Sequence, residues 1–229
     1  MPFPAVLSLL LVVLPSVLHV RDERPETPLD PALVPATGPT PQAFVPKGWK
    51  VEEQIDGDLN NDRRADVVLD LIEDLPEYKA DGTWMNRLRS LVVLFREADD
   101  TLRRVAVGPS VLLCSICGWM YANPSGVVSI ENGTMVVRQL AGSRVSTDHS
   151  QSFRWNAGRN TMLMIGERFF THDREEKTSE EITINYLTGV RLVERSVQRR
   201  GDLYETRISR KRTRIPARPL PVERVDPYQ

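Results

Sequence analysis

Asp58, Asn60 and Asp62 put an oxygen-bearing side chain at every second residue of one short stretch, and Asp66 adds another four residues on. Ca²⁺ takes six to eight oxygens at about 2.3–2.6 Å, and this spacing lets one loop wrap an ion, with Arg64 adding its backbone carbonyl. Asp and Asn side chains also cap backbone amides, so the same residues could hold the turn without metal. The apolar run Val67-Val68-Leu69-Asp70-Leu71-Ile72 follows at once, so either kind of loop feeds a buried strand.

Cys114 and Cys117 form a C-x-x-C pair. Zinc needs four ligands, and the only other soft ligands in the folded region are His149 and His172, far apart in the chain. A redox-active pair wants a helix N-terminus to lower the thiol pKa, and the surroundings read as strand. A local disulfide across a turn suits an oxidising compartment and spans a distance four residues can close. No Ser/His/Asp arrangement stands out. An enzymatic reading therefore reduces to a periplasmic or secreted thiol-disulfide oxidoreductase acting through this pair.

Toward the C-terminus, Arg195, Arg199, Arg200, Arg207, Arg210, Lys211, Arg212, Arg214 and Arg218 stand against only Glu194, Asp202 and Glu205. Such a cluster suits an anionic surface or an acidic partner. It equally suits an edge strand that its own charges keep from aggregating. Nucleic acid is not expected: the formal net charge of the chain is -1, and Tyr204 is the only aromatic among these cations.

The elements that must position these groups follow from the remaining pattern. Residues 1 to 20 are almost wholly apolar before Arg21 and read as a signal peptide or short anchor, which leaves no stable membrane span after export. Residues 21 to 46 carry Pro25, Pro28, Pro31, Pro35, Pro39, Pro41 and Pro46 and read as a disordered, extended linker without a core. Residues 47 to 215 are the β-rich domain, and 216 to 229 a C-terminal tail. Trp49 to Ile55, Val67 to Ile72, Ser90 to Phe95 and Leu102 to Val107 read as strands, the second and third as buried neighbours. Asn132-Gly133 predicts a tight hairpin between Val127–Ile130 and Met135–Leu140, which outweighs the glycosylation pattern Asn132-Gly133-Thr134. Further hairpins are predicted around Asn156 to Asn160 and at Leu187-Thr188-Gly189. The fold class is all-β, a single domain of antiparallel hairpins in sandwich-like or propeller-blade-like sheets.

Gly57-Asp58-Leu59-Asn60-Asn61-Asp62-Arg63-Arg64-Ala65-Asp66-Val67-Val68-Leu69 resembles the FG-GAP or VCBS-type repeat loop of integrin-like β-propellers and many exported bacterial proteins. The resemblance implies Asp58, Asn60, Asp62 and Asp66 as side-chain ligands of Ca²⁺, with the Arg64 carbonyl beside them. It departs at Arg63, where such loops usually place the glycine that makes the sharp turn. No second copy of the loop occurs, so a propeller of repeats is not implied. A wider likeness runs through Gly48-Trp49-Lys50, the Asp58 loop, Leu113 to Gly118, Ser152 to Trp155 and Asn185 to Gly189. It resembles a family of uncharacterised secreted bacterial proteins with one such loop. That implies an exported single-domain protein and assigns it no activity. The function expected from the residues is an exported, non-enzymatic structural or interaction module with one calcium-stabilised loop, whose partner is a protein or an anionic surface ligand.

Overall fold

The computed structural model describes residues 27–118, 127–198 and 205–226. The expected signal segment, residues 1 to 20, lies outside the described residues. Strands and short 3-10 turns make up all the regular structure described, and every strand pairing is antiparallel. The chain is an all-β single domain.

Five strands form the first sheet: β1 (Thr37–Gly38), β2 (Trp49–Gly57), β3 (Asp66–Glu73), β4 (Arg89–Arg96) and β5 (Leu102–Gly108), in the order β1-β5-β4-β3-β2. The second sheet has β6 (Val127–Glu131), β7 (Thr134–Gly142), β8 (Val145–Asn156), β9 (Thr161–Asp173), β10 (Thr178–Asn185), β11 (Val190–Gln198) and β12 (Glu205–Arg214), in reverse chain order. A last two-residue strand, β13 (Leu220–Pro221), pairs with β9 at Met164 and Leu163.

β3 is buried along its whole length because both faces of its sheet are covered. Val68 turns into the core shared with the second sheet, where Leu91, Val93 and Phe95 of β4 meet Met135, Val137, Phe153 and Met162. Val67, Leu69 and Leu71 turn to the opposite side, together with Val92, Leu94, Leu102 and Val107. A strand buried on two faces needs a continuous apolar run, and β3 and β4 supply one.

What covers that outer side corrects the linker reading. Leu29, Val34 and Phe44 pack on it with exposures of 2 %, 2 % and 0 %, so residues 29 to 46 belong to the fold. Two of the prolines sit at helix starts, Pro31–Leu33 and Pro41–Phe44, where a fixed φ and a missing N–H cost nothing. Asp30 caps the first turn by accepting the Ala32 amide at 2.9 Å, and β1 pairs with β5. The Arg104 guanidinium ties the segment down by donating to the carbonyls of Pro31 and Val34. The expected tail is corrected likewise: Val222 and Val225 are buried in the core between the sheets, at 0 % and 4 %.

The Asn132-Gly133 turn joins β6 to β7 with φ of 49° and 71°, the positive pair a tight hairpin requires. β8 and β9 run twelve and thirteen residues on either side of the hairpin turn expected around Asn156 to Asn160. β8 alternates buried and half-buried residues from His149 to Phe153, whereas β9 is half-buried throughout from Ile165 to Asp173.

Candidate functional site

The loop between β2 and β3 is fixed at three points. Leu59 is fully buried in the core between the sheets. Its amide donates to Asp66 Oδ2 at 2.9 Å, and the amide of Arg96 on β4 donates to Asp66 Oδ1 at 3.0 Å. The third point is the tip of the β6–β7 hairpin, where a Cβ on Gly133 would lie 3.1 Å from the Asn61 side chain.

Inside the loop the acidic side chains gather backbone amides. Asp58 Oδ1 accepts from Asn61 and Asp62 at 2.7 and 3.2 Å, and Asp58 Oδ2 accepts from Arg63 at 2.8 Å. Asn60 Oδ1 takes the Asp62 amide at 2.9 Å, and Asp62 Oδ1 the Arg64 amide at 2.8 Å. Arg63 stands at φ 69°, so the arginine adopts the left-handed turn for which glycine is the usual residue. In a calcium loop with ligands at the first, third and fifth positions and a carbonyl at the seventh, the sixth residue makes this turn. Counted from Asp58, the sixth residue is Arg63.

The donor chemistry fits a hard cation: every candidate atom is oxygen, and Asp58 Oδ2, Asn60 Oδ1 and Asp62 Oδ1, which accept one amide each, keep a second lone pair. The geometry is less closed than the spacing implies. Among the described residues no three Asp, Glu, His or Cys side chains converge as a metal cluster, and Asp66 is fully buried with both oxygens on amides. Burial pushes the Asp66 carboxyl above its ordinary range; the Leu59 and Arg96 amides pull it back, while Asp62 and Asp58 push it further up. Asp58, Asn60, Asp62 and the Arg64 carbonyl are the inner donors such an ion would meet, with water completing the shell.

Cys114 and Cys117 are disulfide-bonded, with Cα atoms 5.0 Å apart. The Cys117 amide donates to the Cys114 carbonyl at 3.1 Å, so the bridge closes a turn. Cys114 is 5 % exposed. The same turn links the two sheets, because Leu113 donates to Gln139 Oε1 on β7 and Ser115 Oγ caps the Arg87 amide ahead of β4.

Sequence reasoning missed two buried polar groups. His149 on β8 is not isolated: its Nε2 lies 3.2 Å from Glu167 Oε2 on β9, and its ring stacks on Phe169 at 4.0 Å. Tyr186 O–H donates to Glu167 Oε1 at 2.9 Å, and burial, reinforced by that carboxylate, pushes the phenol pKa up. Strand register brings these three together from positions 18 and 19 residues apart, which no local motif records. The second group is on the first sheet. Arg89, 1 % exposed at its side chain, is gripped by Glu52 through Nε and Nη2 at 2.6 and 2.9 Å. Nearby Asp70 is buried with no partner on Oδ1, and burial pushes its pKa up to about 8 against the pull of Arg89. A polar residue inside the run Val67–Ile72 was the available signal.

No helix among the described residues is long and apolar enough to cross a membrane. The second sheet ends in the basic strand β12, where Arg210 pairs with Glu194 of β11. Compared against family models, curated proteins and solved structures, the chain matches none of them.

Proposed function

We propose that the protein is an exported, non-enzymatic structural or interaction module in which Ca²⁺ stabilises the loop from Asp58 to Asp66. The observation that carries this reading is Arg63 at φ 69°, at the position where a calcium loop makes its sharp turn, with the amides of Asn61, Asp62 and Arg63 gathered on Asp58. Bound there, the ion would supply positive charge beside the Asp58 and Asp62 carboxylates, whose charges also push up the Asp66 pKa. The chain's own part is to hold the oxygens inward: Leu59 anchors the loop in the core, and Asp66 clamps it to β4.

Linkage sets the size of the effect. A single loop of an extracellular module binds Ca²⁺ at about 10⁻⁴–10⁻³ M, so calcium at ten times Kd stabilises the domain by about 1.4 kcal/mol. That corresponds to a rise of a few degrees in Tm. Thermal melts of the full chain in millimolar CaCl₂ and in excess chelator should differ by this amount, and Asp62→Ala should abolish the difference. Superimposed melts would leave the loop as an amide-capped turn.

A further inference from the structure

Four arginines of the second sheet pair with acids across strands. Arg138 of β7 meets Asp148 of β8, Arg168 of β9 meets Glu181 of β10, Arg195 of β11 meets Glu180 of β10, and Arg210 of β12 meets Glu194 of β11. In each case the arginine's partner stands on an adjacent strand, at the short lateral spacing that lets cross-strand side chains interact. Arg154 of β8 and Arg191 of β11 have no ion pair with a described residue, and within β12 the pairing ends at Arg210. Lys211 and Arg212 are exposed, and neither makes an ion pair with any described residue.

β12 is also the end of the sheet: it pairs with β11, and among the described residues no strand lies on its other side. An edge of this kind offers a row of open N–H and C=O groups to an incoming chain. At the opposite edge of the same sheet, β6 packs against the first sheet. A Cβ on Gly57 of β2 would lie 2.8 Å from Ile130 of β6, so β2 lies against β6 there.

We propose that the β12 edge binds an extended acidic segment of another protein, added to the second sheet as a further strand with glutamate or aspartate at alternate positions. The proposal rests on the reading of the protein as an interaction module and is independent of its calcium loop. Strand alternation selects this occupant over an anionic lipid surface. Arg210, Arg212 and Arg214 lie opposite Glu194, Leu192 and Val190 and share one face, whereas Lys211, opposite Val193, projects from the other. A bilayer offers these cations phosphates but no N–H donors, whereas a polypeptide lying along the edge pairs the open N–H and C=O groups of β12 and sets an acidic side chain at every second residue, the spacing of Arg210, Arg212 and Arg214. A second copy of the chain is the poorer occupant. Its acidic edge strand, β2, carries a register shift between Val51 and Glu53, and its Glu52 is committed to Arg89. A bulge interrupts regular pairing; the register shift of β12 itself lies before Ser209, which leaves Ser209 to Arg214 as a regular edge.

The test uses the full chain with its disulfide intact and a fluorescent short peptide that alternates glutamate with valine. The control peptide has the same charge and a central proline, which cannot donate to a ladder. Anisotropy should show binding of the alternating peptide that weakens as salt rises, with the proline control about tenfold weaker. Lys211→Glu with Arg212→Glu should reduce binding by about tenfold or more while leaving the circular dichroism spectrum and Tm in place. Binding unchanged in excess chelator is expected, so a failure of the calcium reading would leave this result standing. Equal affinity for the proline control would overturn the added-strand proposal in favour of charge attraction alone. Tighter retention on phosphatidylglycerol vesicles than on the peptide would assign the edge to lipid. Concentration-dependent dimers that the peptide dissolves would assign it to a second copy.

Discussion

The two sheets handle charge in opposite ways. The first sheet is covered on both faces, by the second sheet on one side and by residues 29 to 46 on the other, and its Asp70 and Arg89 are sealed between layers. The second sheet is wet on its outer face, and its ion pairs Arg138–Asp148, Arg168–Glu181 and Arg210–Glu194 stand at the surface with arginine exposures of 60 %, 38 % and 57 %. The same side-chain types therefore have different consequences. Where water is excluded a carboxylate is costly to ionise, and where water is present an ion pair is cheap to form and to lose.

That contrast can be broken at its base by removing the cover from the first sheet. Phe44 is fully buried against β1 and the outer apolar layer, with its ring against the Gly38 backbone. Phe44→Ala should cost about 3–5 kcal/mol in chemical unfolding, the usual loss for a buried aromatic. A change within about 0.5 kcal/mol, the size expected of an exposed site, would make residues 29 to 46 a passive tether.

The next effect is electrostatic and has a sign. Asp70 titrates at about 8 in the folded protein, raised first by burial and further by Glu52 and Glu53, from an ordinary value of 3.8. Its folded pKa lies above its unfolded one, so the stability linked to its proton is full below the unfolded value and drains away as pH rises to about 8. Each unit in that window is worth up to about 1.4 kcal/mol, so unfolding free energy should fall by up to about 4 kcal/mol between pH 5 and pH 8. Asp70→Asn keeps the shape and removes the titration. Its stability curve should be flat over the same window and should cross above the parent at alkaline pH. Parallel curves for the two proteins would mean that Asp70 is ionised in the fold.

How much of this the sequence carries depends on whether the signal is local. The buried strands β3 and β4, the Asn132-Gly133 turn and the oxygen-rich loop are legible because each is a contiguous pattern. The cover of the first sheet is not: Leu29, Val34 and Phe44 are three apolar residues scattered among prolines, and prolines suit a helix start as well as an extended tether. His149, Glu167 and Tyr186 are illegible for a different reason. They come from three separate segments, β8, β9 and the turn after β10, and meet only once those strands are in register. Asp66 shows the limit within the loop itself. Its spacing marks it as a ligand, whereas its amide bonds to Leu59 and Arg96 reach across to another strand.

The smallest predicted effect sharpens the contrast from the wet side. The Asp148 carboxylate is held below its ordinary value, first by its hydrogen bond to Arg138, although partial burial opposes this. Its folded pKa lies below its unfolded one, so its contribution is present above the ordinary carboxylate range and is lost as pH falls through the folded value. This is the reverse of Asp70. The magnitude is that of a surface pair, about 0–1 kcal/mol, because Arg138 is mostly in water and must give up side-chain freedom to hold the geometry. Asp148→Asn should therefore lower stability slightly at neutral pH and not at all in strong acid. Molar salt should shrink the difference, since the Debye length falls to about 3 Å at 1 M. The Asp70 titration should persist at that salt concentration, because its carboxyl is buried and its shift comes first from desolvation. If salt erased both effects alike, the first sheet would be as wet as the second, and the seal between the two sheets around Asp70 and Arg89 would be wrong.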